Sequence, residues 1–158
     1  MIVVVMGVSG VGKTTIGRRL AERLGWPFID ADDHHPAANV AKMAAGTPLE
    51  DEDRWPWLDK LNSLLRVEEN AVVACSALKE SYRRRLLAGI ADARIAFLHG
   101  SKALIASRMA ARRHRYMPAL LLDSQFAALE PPADAIAIDV ASDPESCVNA
   151  ILGAIPRK

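Results

Sequence analysis

The chain has 158 residues, of which 51% are hydrophobic and 25% charged, and its formal net charge is +1. This composition predicts one soluble domain with a sizeable core, and the balanced charge gives no general attraction to nucleic acids or membranes. No run reaches the ~18 to 20 apolar residues of a membrane span, and residues 1–10 lack the basic region of a signal peptide. Cys75 and Cys147 lie in apolar surroundings without metal-type spacing, which indicates buried thiols in a reducing compartment. We therefore expect a cytoplasmic protein.

Short aliphatic runs alternate with longer helical patterns along the chain. Near-continuous apolar runs are typical of strands buried on both faces, and they predict strands at residues 2–6, 71–76, 93–99 and 135–140. Residues 26–30 predict a weaker fifth strand, which Pro27 limits to an early or edge position. Apolar spacing and capping residues predict helices at residues 13–24, 36–45, 54–69 and 101–112. A last helix is expected after a capping box of Ser142 and Glu145. This alternation predicts an α/β fold, a parallel sheet of about five strands with helices on both faces.

The first predicted strand is followed by GVSGVGKT, residues 7–14, which matches the P-loop pattern G-x-x-x-x-G-K-[ST] at every required position. Glycines let such a loop point successive backbone N–H groups at an anion, and the next helix adds its positive dipole end. Lys13 is expected to reach the β- and γ-phosphates and Thr14 to offer its hydroxyl to Mg²⁺. The residues predicted to bind ATP here are Gly7, Val8, Ser9, Gly10, Val11, Gly12, Lys13, Thr14 and Thr15. The alternative is a glycine-rich turn with an incidental lysine.

The segment FIDADDHHP, residues 28–36, places three aspartates after the second predicted strand. Ligands of open α/β sheets lie beyond the carboxyl ends of the strands, so these acids and the P-loop should face one crevice. The run at 71–76 ends without a carboxylate, which makes Asp30 the best candidate to complete a Mg²⁺ site with Thr14. Asp30 and Asp32 would share a face of an extended chain, and Asp32 is expected to orient an acceptor hydroxyl and take its proton. A zinc site or a solvated capping turn are the alternatives.

Five segments together resemble a known family: MGVSGVGKTT, FIDADDHHP, NVAKMAAGTPLEDEDRWPWL, CSALKESYRRRL and LLLDSQFAALEPP. Their order and spacing are similar to those of the bacterial-type gluconokinases, small P-loop kinases related to shikimate kinase. The resemblance covers nearly the whole chain. It implies a P-loop NTPase fold in a single domain, residues 1–158, with substrate-side helices at about 35–70 and a basic lid at about 110–122.

The same resemblance implies a reaction and its partners. The expected activity is phosphorylation of D-gluconate at its terminal hydroxyl by ATP with Mg²⁺, which gives 6-phospho-D-gluconate, and the expected assembly is a homodimer. Asp32 and His35 match the family's D-x-x-H-P element beside the sugar acid. The other positions that should face the substrate are Arg54, Lys79, Tyr82 and Arg83. Gluconate carries a carboxylate and five hydroxyls, so cationic and hydrogen-bonding side chains suit it.

For several of these residues, a purely structural role is the alternative to substrate binding. Arg54 could be a surface arginine at a helix start, and Lys79 and Arg83, four residues apart on one helix face, could form a solvated basic stripe. Trp55 and Trp57 are expected to pack against the sheet. Gln125 matches the family pattern, although helix capping and packing explain it equally well.

The lid is the segment where the chain departs from the family. Arg108 and Arg112 are expected to contact the triphosphate, with Arg113 beside them, and Arg112 is assigned a catalytic role in neutralising the transferred phosphoryl group. Residues 114–117 read HRYM where family members commonly read GHFM. The change removes a glycine that tolerates positive φ and adds the charge of Arg115.

Three other functions remain open at this point. One is a related P-loop kinase for shikimate or another polyol. A second is a non-catalytic nucleotide-binding module, which the missing strand-end aspartate favours and the acceptor-side residues disfavour. The third is nucleic-acid binding through the arginines of residues 108–118, which would be steeply salt-dependent. We expect neither a nucleic-acid nor a membrane partner.

Overall fold

A parallel sheet forms the centre of the protein, and the computed structural model describes residues 1–111 and 119–156. Its strands are β1 (Ile2–Met6), β2 (Phe28–Asp30), β3 (Ala71–Ala74), β4 (Ala93–His99) and β5 (Ile136–Asp139). The helices of the described residues are α1 (Lys13–Leu24), α2 (Ala37–Ala44), α3 (Asp51–Arg66), α4 (Glu80–Leu86), α5 (Lys102–Ala110), α6 (Ala119–Ala128) and α7 (Pro144–Ala154). The strands lie in the order β2-β3-β1-β4-β5 with every neighbouring pair parallel. The predicted α/β fold is thus confirmed.

Strand β1 lies at the middle of the sheet and supplies both halves of the core. Successive side chains of a strand point to opposite faces. Val3 and Val5 accordingly pack with residues of α1, α5, α6 and α7, whereas Ile2, Val4 and Met6 pack with α3 and α4. Each fully buried aliphatic side chain stabilises the fold by about 1.5–3 kcal/mol. Burial on both faces explains why β1 is an uninterrupted apolar run.

Helix α1 has the predicted bounds because glycines delimit it at both ends. Gly12, at its N-terminal cap, has φ +103°, and Gly25, at its C-terminal cap, has φ +69°. These left-handed conformations are open to glycine at little cost and end a helix sharply. The sharp start places Lys13 and Thr14 in the first turn, directly after the loop.

Several helix boundaries differ from the expectations. Helix α3 begins at Asp51 instead of residue 54, because the Asp53 carboxylate accepts a 2.9 Å hydrogen bond from the Glu50 backbone N–H. The proposed cap of α7 is wrong: Asp143, not Ser142, accepts the hydrogen bond from the Ser146 backbone N–H, at 2.8 Å. Helix α6 was not predicted, because its sequence has neither a strong N-cap residue nor an apolar stripe at helical spacing.

Both cysteines are buried thiols, as predicted. Burial raises the pKa of Cys75 to about 12, so this thiol stays protonated at neutral pH.

Among the described residues, no helix combines the length and the apolar character that crossing a bilayer needs.

Candidate active site

The loop between β1 and α1 packs tightly against its neighbours. A Cβ atom at Gly7 would lie 2.6 Å from the carbonyl oxygen of Leu98 in β4, so no larger residue fits there. The Gly7 backbone N–H also donates to Ser76, just after β3, at 3.4 Å. The loop is therefore fixed between the carboxyl ends of two strands, as expected for a phosphate-binding P-loop.

Lys13 folds over this loop. Its ammonium group donates hydrogen bonds to the carbonyl oxygens of Gly7, at 2.9 Å, and Val8, at 3.0 Å. Burial lowers the pKa of Lys13, and the nearby carboxylates of Asp32 and Asp30 oppose that shift. The predicted phosphate-binding cation and the predicted acidic cluster thus belong to one electrostatic site.

Asp30 and Thr14 meet across the crevice. The Thr14 hydroxyl donates to Asp30 Oδ2 at 3.3 Å, which joins the end of β2 to the first turn of α1. Oxygen ligands of this kind suit Mg²⁺. The structure therefore brings together the two residues predicted to hold the metal.

The segment after Asp30 is not extended, and the expectation that Asp30 and Asp32 share a strand face is wrong. Residues Ala31–His34 form a 3₁₀ turn, which Asp30 caps by accepting the Asp32 backbone N–H on Oδ1 at 3.1 Å. Aspartate side chains commonly capture a backbone N–H two residues on. The turn leaves the side chain of Asp32 80% exposed, so its carboxylate is free to meet a substrate.

His35 lies beside Asp32 with its ring held in place. The imidazole stacks on Trp57, with ring centroids 4.1 Å apart and planes 15° from parallel. Its Nε2 lies 3.9 Å from Asp32 Oδ1 and its Nδ1 lies 3.2 Å from the Asn39 side-chain nitrogen. Burial lowers the pKa of His35, against the opposing effect of Asp32 and with a further lowering from Arg54. His35 is therefore a neutral ring at neutral pH.

Trp57 is buried, as predicted, and its indole N–H donates to the Ala31 carbonyl at 2.8 Å. This bond fixes the 3₁₀ turn to α3. Asn39, which contacts His35, was missed by the sequence analysis. The signal available was its position four residues after His35, the spacing of side-chain pairs on a helix.

A second group of polar side chains surrounds Tyr82 on α4. Its hydroxyl donates to Asp51 Oδ1 at 2.6 Å, and burial followed by this contact raises the pKa of Tyr82 to about 12. The Arg54 guanidinium lies 5.1 Å from the centre of the Tyr82 ring, and the Lys79 ammonium lies 5.7 Å from it. Two predicted substrate cations thus share one aromatic ring, an arrangement suited to an anion.

Arg83 is held by other partners. It is 3% exposed and donates to the carbonyl oxygens of Ala77 and Glu130, each at 2.8 Å, and to the Glu80 carboxylate at 3.1 Å. The expected shared helix face with Lys79 is wrong, because Lys79 caps α4 and lies before its first turn. These contacts favour a role for Arg83 in fixing the loop after β3.

The predicted lid falls only partly within the described residues. Arg108 lies half-buried in the last turn of α5, next to Met109, whose side chain adjoins Gly10 of the P-loop. Arg112, Arg113 and the segment 114–117 lie outside the described residues. Gln125 of α6, which follows these residues in the chain, contacts Ser9 of the P-loop.

Comparison with known proteins identifies the family. The family model for shikimate kinase matches residues 9–130. The chain is 50% identical over 137 residues to a gluconokinase of Gluconobacter oxydans. This match covers 83% of this chain and 76% of that protein. It is also 44% identical over 161 residues to a thermosensitive gluconokinase of Escherichia coli. That match covers 94% of this chain and 86% of the Escherichia coli protein.

A solved structure supports the same assignment. The crystal structure of a gluconokinase from Sinorhizobium meliloti aligns with a TM-score of 0.89 at 44% identity, covering 96% of this chain and 89% of that one. The P-loop kinase fold implied by the sequence is thereby confirmed. The chain belongs to the gluconokinase family, within the shikimate kinase group of P-loop kinases.

Proposed function

We propose that this protein transfers the γ-phosphoryl group of ATP to the terminal hydroxyl of D-gluconate, which gives 6-phospho-D-gluconate and ADP. The similar proteins named gluconokinase support this substrate. The structural observation that carries the proposal is the contact between Thr14 and Asp30, 3.3 Å long. It joins the phosphate-binding loop to the acidic segment, so that donor and acceptor would meet at one edge of the sheet.

The residues present suit ATP with Mg²⁺, which kinases of this family use in general. The P-loop offers backbone N–H groups and the Lys13 ammonium to the phosphates. Thr14 and Asp30 offer the oxygen atoms that Mg²⁺ prefers. When bound, Mg²⁺-ATP supplies the phosphoryl group. Arg108, at the end of α5, and Arg112, in the predicted lid, are proposed to bind the triphosphate, and Arg112 to neutralise developing charge.

Asp32 is proposed as the residue that prepares the acceptor. Its exposed carboxylate would accept a hydrogen bond from the terminal hydroxyl and take the proton as the new phosphorus–oxygen bond forms. His35 would bind a hydroxyl beside it. Lys13 would meanwhile balance charge on the transferred group.

The carboxylate of gluconate requires a cationic partner. Arg54 and Lys79, which flank Tyr82, are proposed to bind it, with Tyr82 holding both in position.

We further propose that the chain is a single kinase domain, residues 1–158, with a substrate region at about 35–70 and a lid at about 110–122, and that it acts as a cytoplasmic homodimer.

A substrate panel tests the proposal. ADP release would be followed by a coupled assay with gluconate, shikimate, glycerate and nucleoside monophosphates as acceptors. We expect gluconate to be used with a kcat/KM well above the others, and Lys13→Ala to abolish turnover. Preference for another acceptor would replace gluconate as the substrate, and ATP binding without any turnover would indicate a nucleotide-binding module.

A further inference from the structure

The side-chain amide of Asn39 is buried between two helices and has one possible orientation. Asn39 is 3% exposed, and its Nδ2 lies 2.8 Å from the Asp53 carbonyl oxygen of α3. A carbonyl oxygen accepts hydrogen bonds and cannot donate them. The atom that faces Asp53 must therefore be the amide nitrogen and not the amide oxygen.

This orientation decides which nitrogen of His35 carries the proton. The same Asn39 nitrogen lies 3.2 Å from His35 Nδ1, and the second amide hydrogen is available for that contact. Nδ1 must accept this bond through its lone pair, so the neutral ring carries its proton on Nε2. The opposite ring orientation would place the His35 Cδ2–H against the Asn39 nitrogen and lose this hydrogen bond, so the contact favours the observed orientation.

The protonated nitrogen lies next to the exposed carboxylate of Asp32, while the His35 side chain as a whole is 4% exposed. His35 Nε2 lies 3.9 Å from Asp32 Oδ1, which is too long for a direct hydrogen bond. One hydroxyl oxygen placed between them could donate its proton to Asp32 and accept the hydrogen of His35. The two side chains therefore offer complementary partners to an alcohol.

We propose that Asn39 is a positioning residue: it holds His35 in the Nε2–H tautomer, so that His35 donates a hydrogen bond to a hydroxyl of the substrate beside Asp32. The identity of that substrate as a sugar acid rests on the proposed function. Helix α2 thus contributes to the site through Asn39, which acts on the substrate only through its contact with His35.

The tautomer can be measured directly in the free protein. With ¹⁵N-labelled histidine, long-range proton–nitrogen correlation distinguishes protonated from unprotonated ring nitrogens, and His35→Phe identifies the His35 signals among the four histidines. We expect the wild type to show an unprotonated Nδ1. In Asn39→Asp, which offers an acceptor in place of the donor, we expect the proton on Nδ1, and in Asn39→Ala a mixture of both forms.

Asn62 provides the matched control. It is also a buried asparagine, and its amide donates to the carbonyl oxygens of Leu86 and Ala88, each at 2.8 Å, at the other end of α3. Asn62→Asp should disturb helix packing but leave the His35 tautomer unchanged. A wild type with a protonated Nδ1, or Asn39 variants with wild-type signals, would overturn the proposal, and the wild-type measurement stands even if a variant fails to fold.

Kinetics supply the second readout. In Asn39→Asp we expect kcat/KM for gluconate to fall about tenfold or more, since a hydrogen bond to the substrate is lost, while KM for ATP changes less than about twofold. If gluconate is not turned over by the wild type but the tautomer depends on Asn39, the proposed function fails and the positioning role stands. If the tautomer is independent of Asn39, the positioning role fails whatever the activity.

Discussion

Gln125 holds Ser9 at two points: its Oε1 accepts the Ser9 backbone N–H at 2.7 Å, and its Nε2 donates to the Ser9 hydroxyl at 3.0 Å. The two residues are 116 positions apart in the chain. Because Gln125 lies on α6, whose first residues fall within the predicted lid, this pair links that helix to the P-loop. The sequence alone allowed capping or packing for Gln125, and the structure shows a contact with the loop.

Replacing Gln125 with leucine should weaken ATP binding. The Ser9 N–H would lose its partner in a half-buried loop, and such a loss costs about 1–3 kcal/mol. We expect KM for ATP to rise about tenfold, with KM for gluconate nearly unchanged, in steady-state assays. Ser124→Ala, on the neighbouring exposed position, is the control. An unchanged KM for ATP would show that the pair does not shape the loop.

Asp30→Asn should weaken the use of Mg²⁺ without unfolding the turn. The amide oxygen of asparagine can still accept the Asp32 N–H, whereas the negative charge next to Thr14 is lost. We expect the Mg²⁺ concentration for half-maximal activity to rise about tenfold or more. Asp33→Asn, in the same turn, is the matched control. Equal Mg²⁺ dependence in all three proteins would remove Asp30 from the metal site.

Asp32→Asn should depress turnover far more than ATP binding. An asparagine can occupy the same space but cannot take the proton of the acceptor hydroxyl. We expect kcat to fall by about 10²- to 10⁴-fold, with the dissociation constant of an ATP analogue within about twofold by calorimetry. Near-normal turnover with gluconate would exclude Asp32 as the general base.

His35 should make the protein less stable in acid. Because burial lowers its pKa below the ordinary value of 6.5, the unfolded chain binds a proton at a pH where the folded protein does not. The free energy of unfolding therefore receives the full contribution of His35 above about pH 6.5 and loses it as the pH falls further. Asp32, which opposes the shift, and Arg54, which adds to it, are the charged groups concerned.

Urea unfolding at about pH 7.5 and about pH 5.5 measures this effect. In His35→Phe, which keeps an aromatic ring against Trp57 but cannot titrate, the stability difference between the two pH values should shrink. His34→Asn, one residue earlier and outside the stack, is the control. An equal difference in the wild type and His35→Phe would contradict the assignment.

Arg83→Leu should destabilise the protein. Its guanidinium donates to the buried carbonyl oxygen of Ala77 and to the part-buried carbonyl oxygen of Glu130. Removing this donor should lower the free energy of unfolding by about 2–4 kcal/mol. Arg84, on the same helix, is 79% exposed, and Arg84→Leu should change stability by less than about 0.5 kcal/mol. Wild-type stability in Arg83→Leu combined with a raised KM for gluconate would instead assign Arg83 to the substrate.

The sequence by itself determined the sheet strands, helix α1 and the P-loop. Their signals are local: a residue in β1 is apolar because both faces of that strand are buried, and Gly12 and Lys13 must stand next to each other for the loop to turn into the helix. The reaction class followed from the same loop together with the acids that end β2.

Only the tertiary structure decided how the site is completed. Trp57 of α3 fixes the 3₁₀ turn after β2 by donating to Ala31. Arg83 donates to Glu130, 47 positions along the chain. Asn39 and His35 are four residues apart, and α3 holds both, through Asp53 and Trp57. Each outcome depends on a hydrogen-bonding partner from another part of the chain, 14 to 47 positions away. The sequence shows that such a side chain is polar, but the packing of the helices on the sheet decides which oxygen or nitrogen atom it contacts.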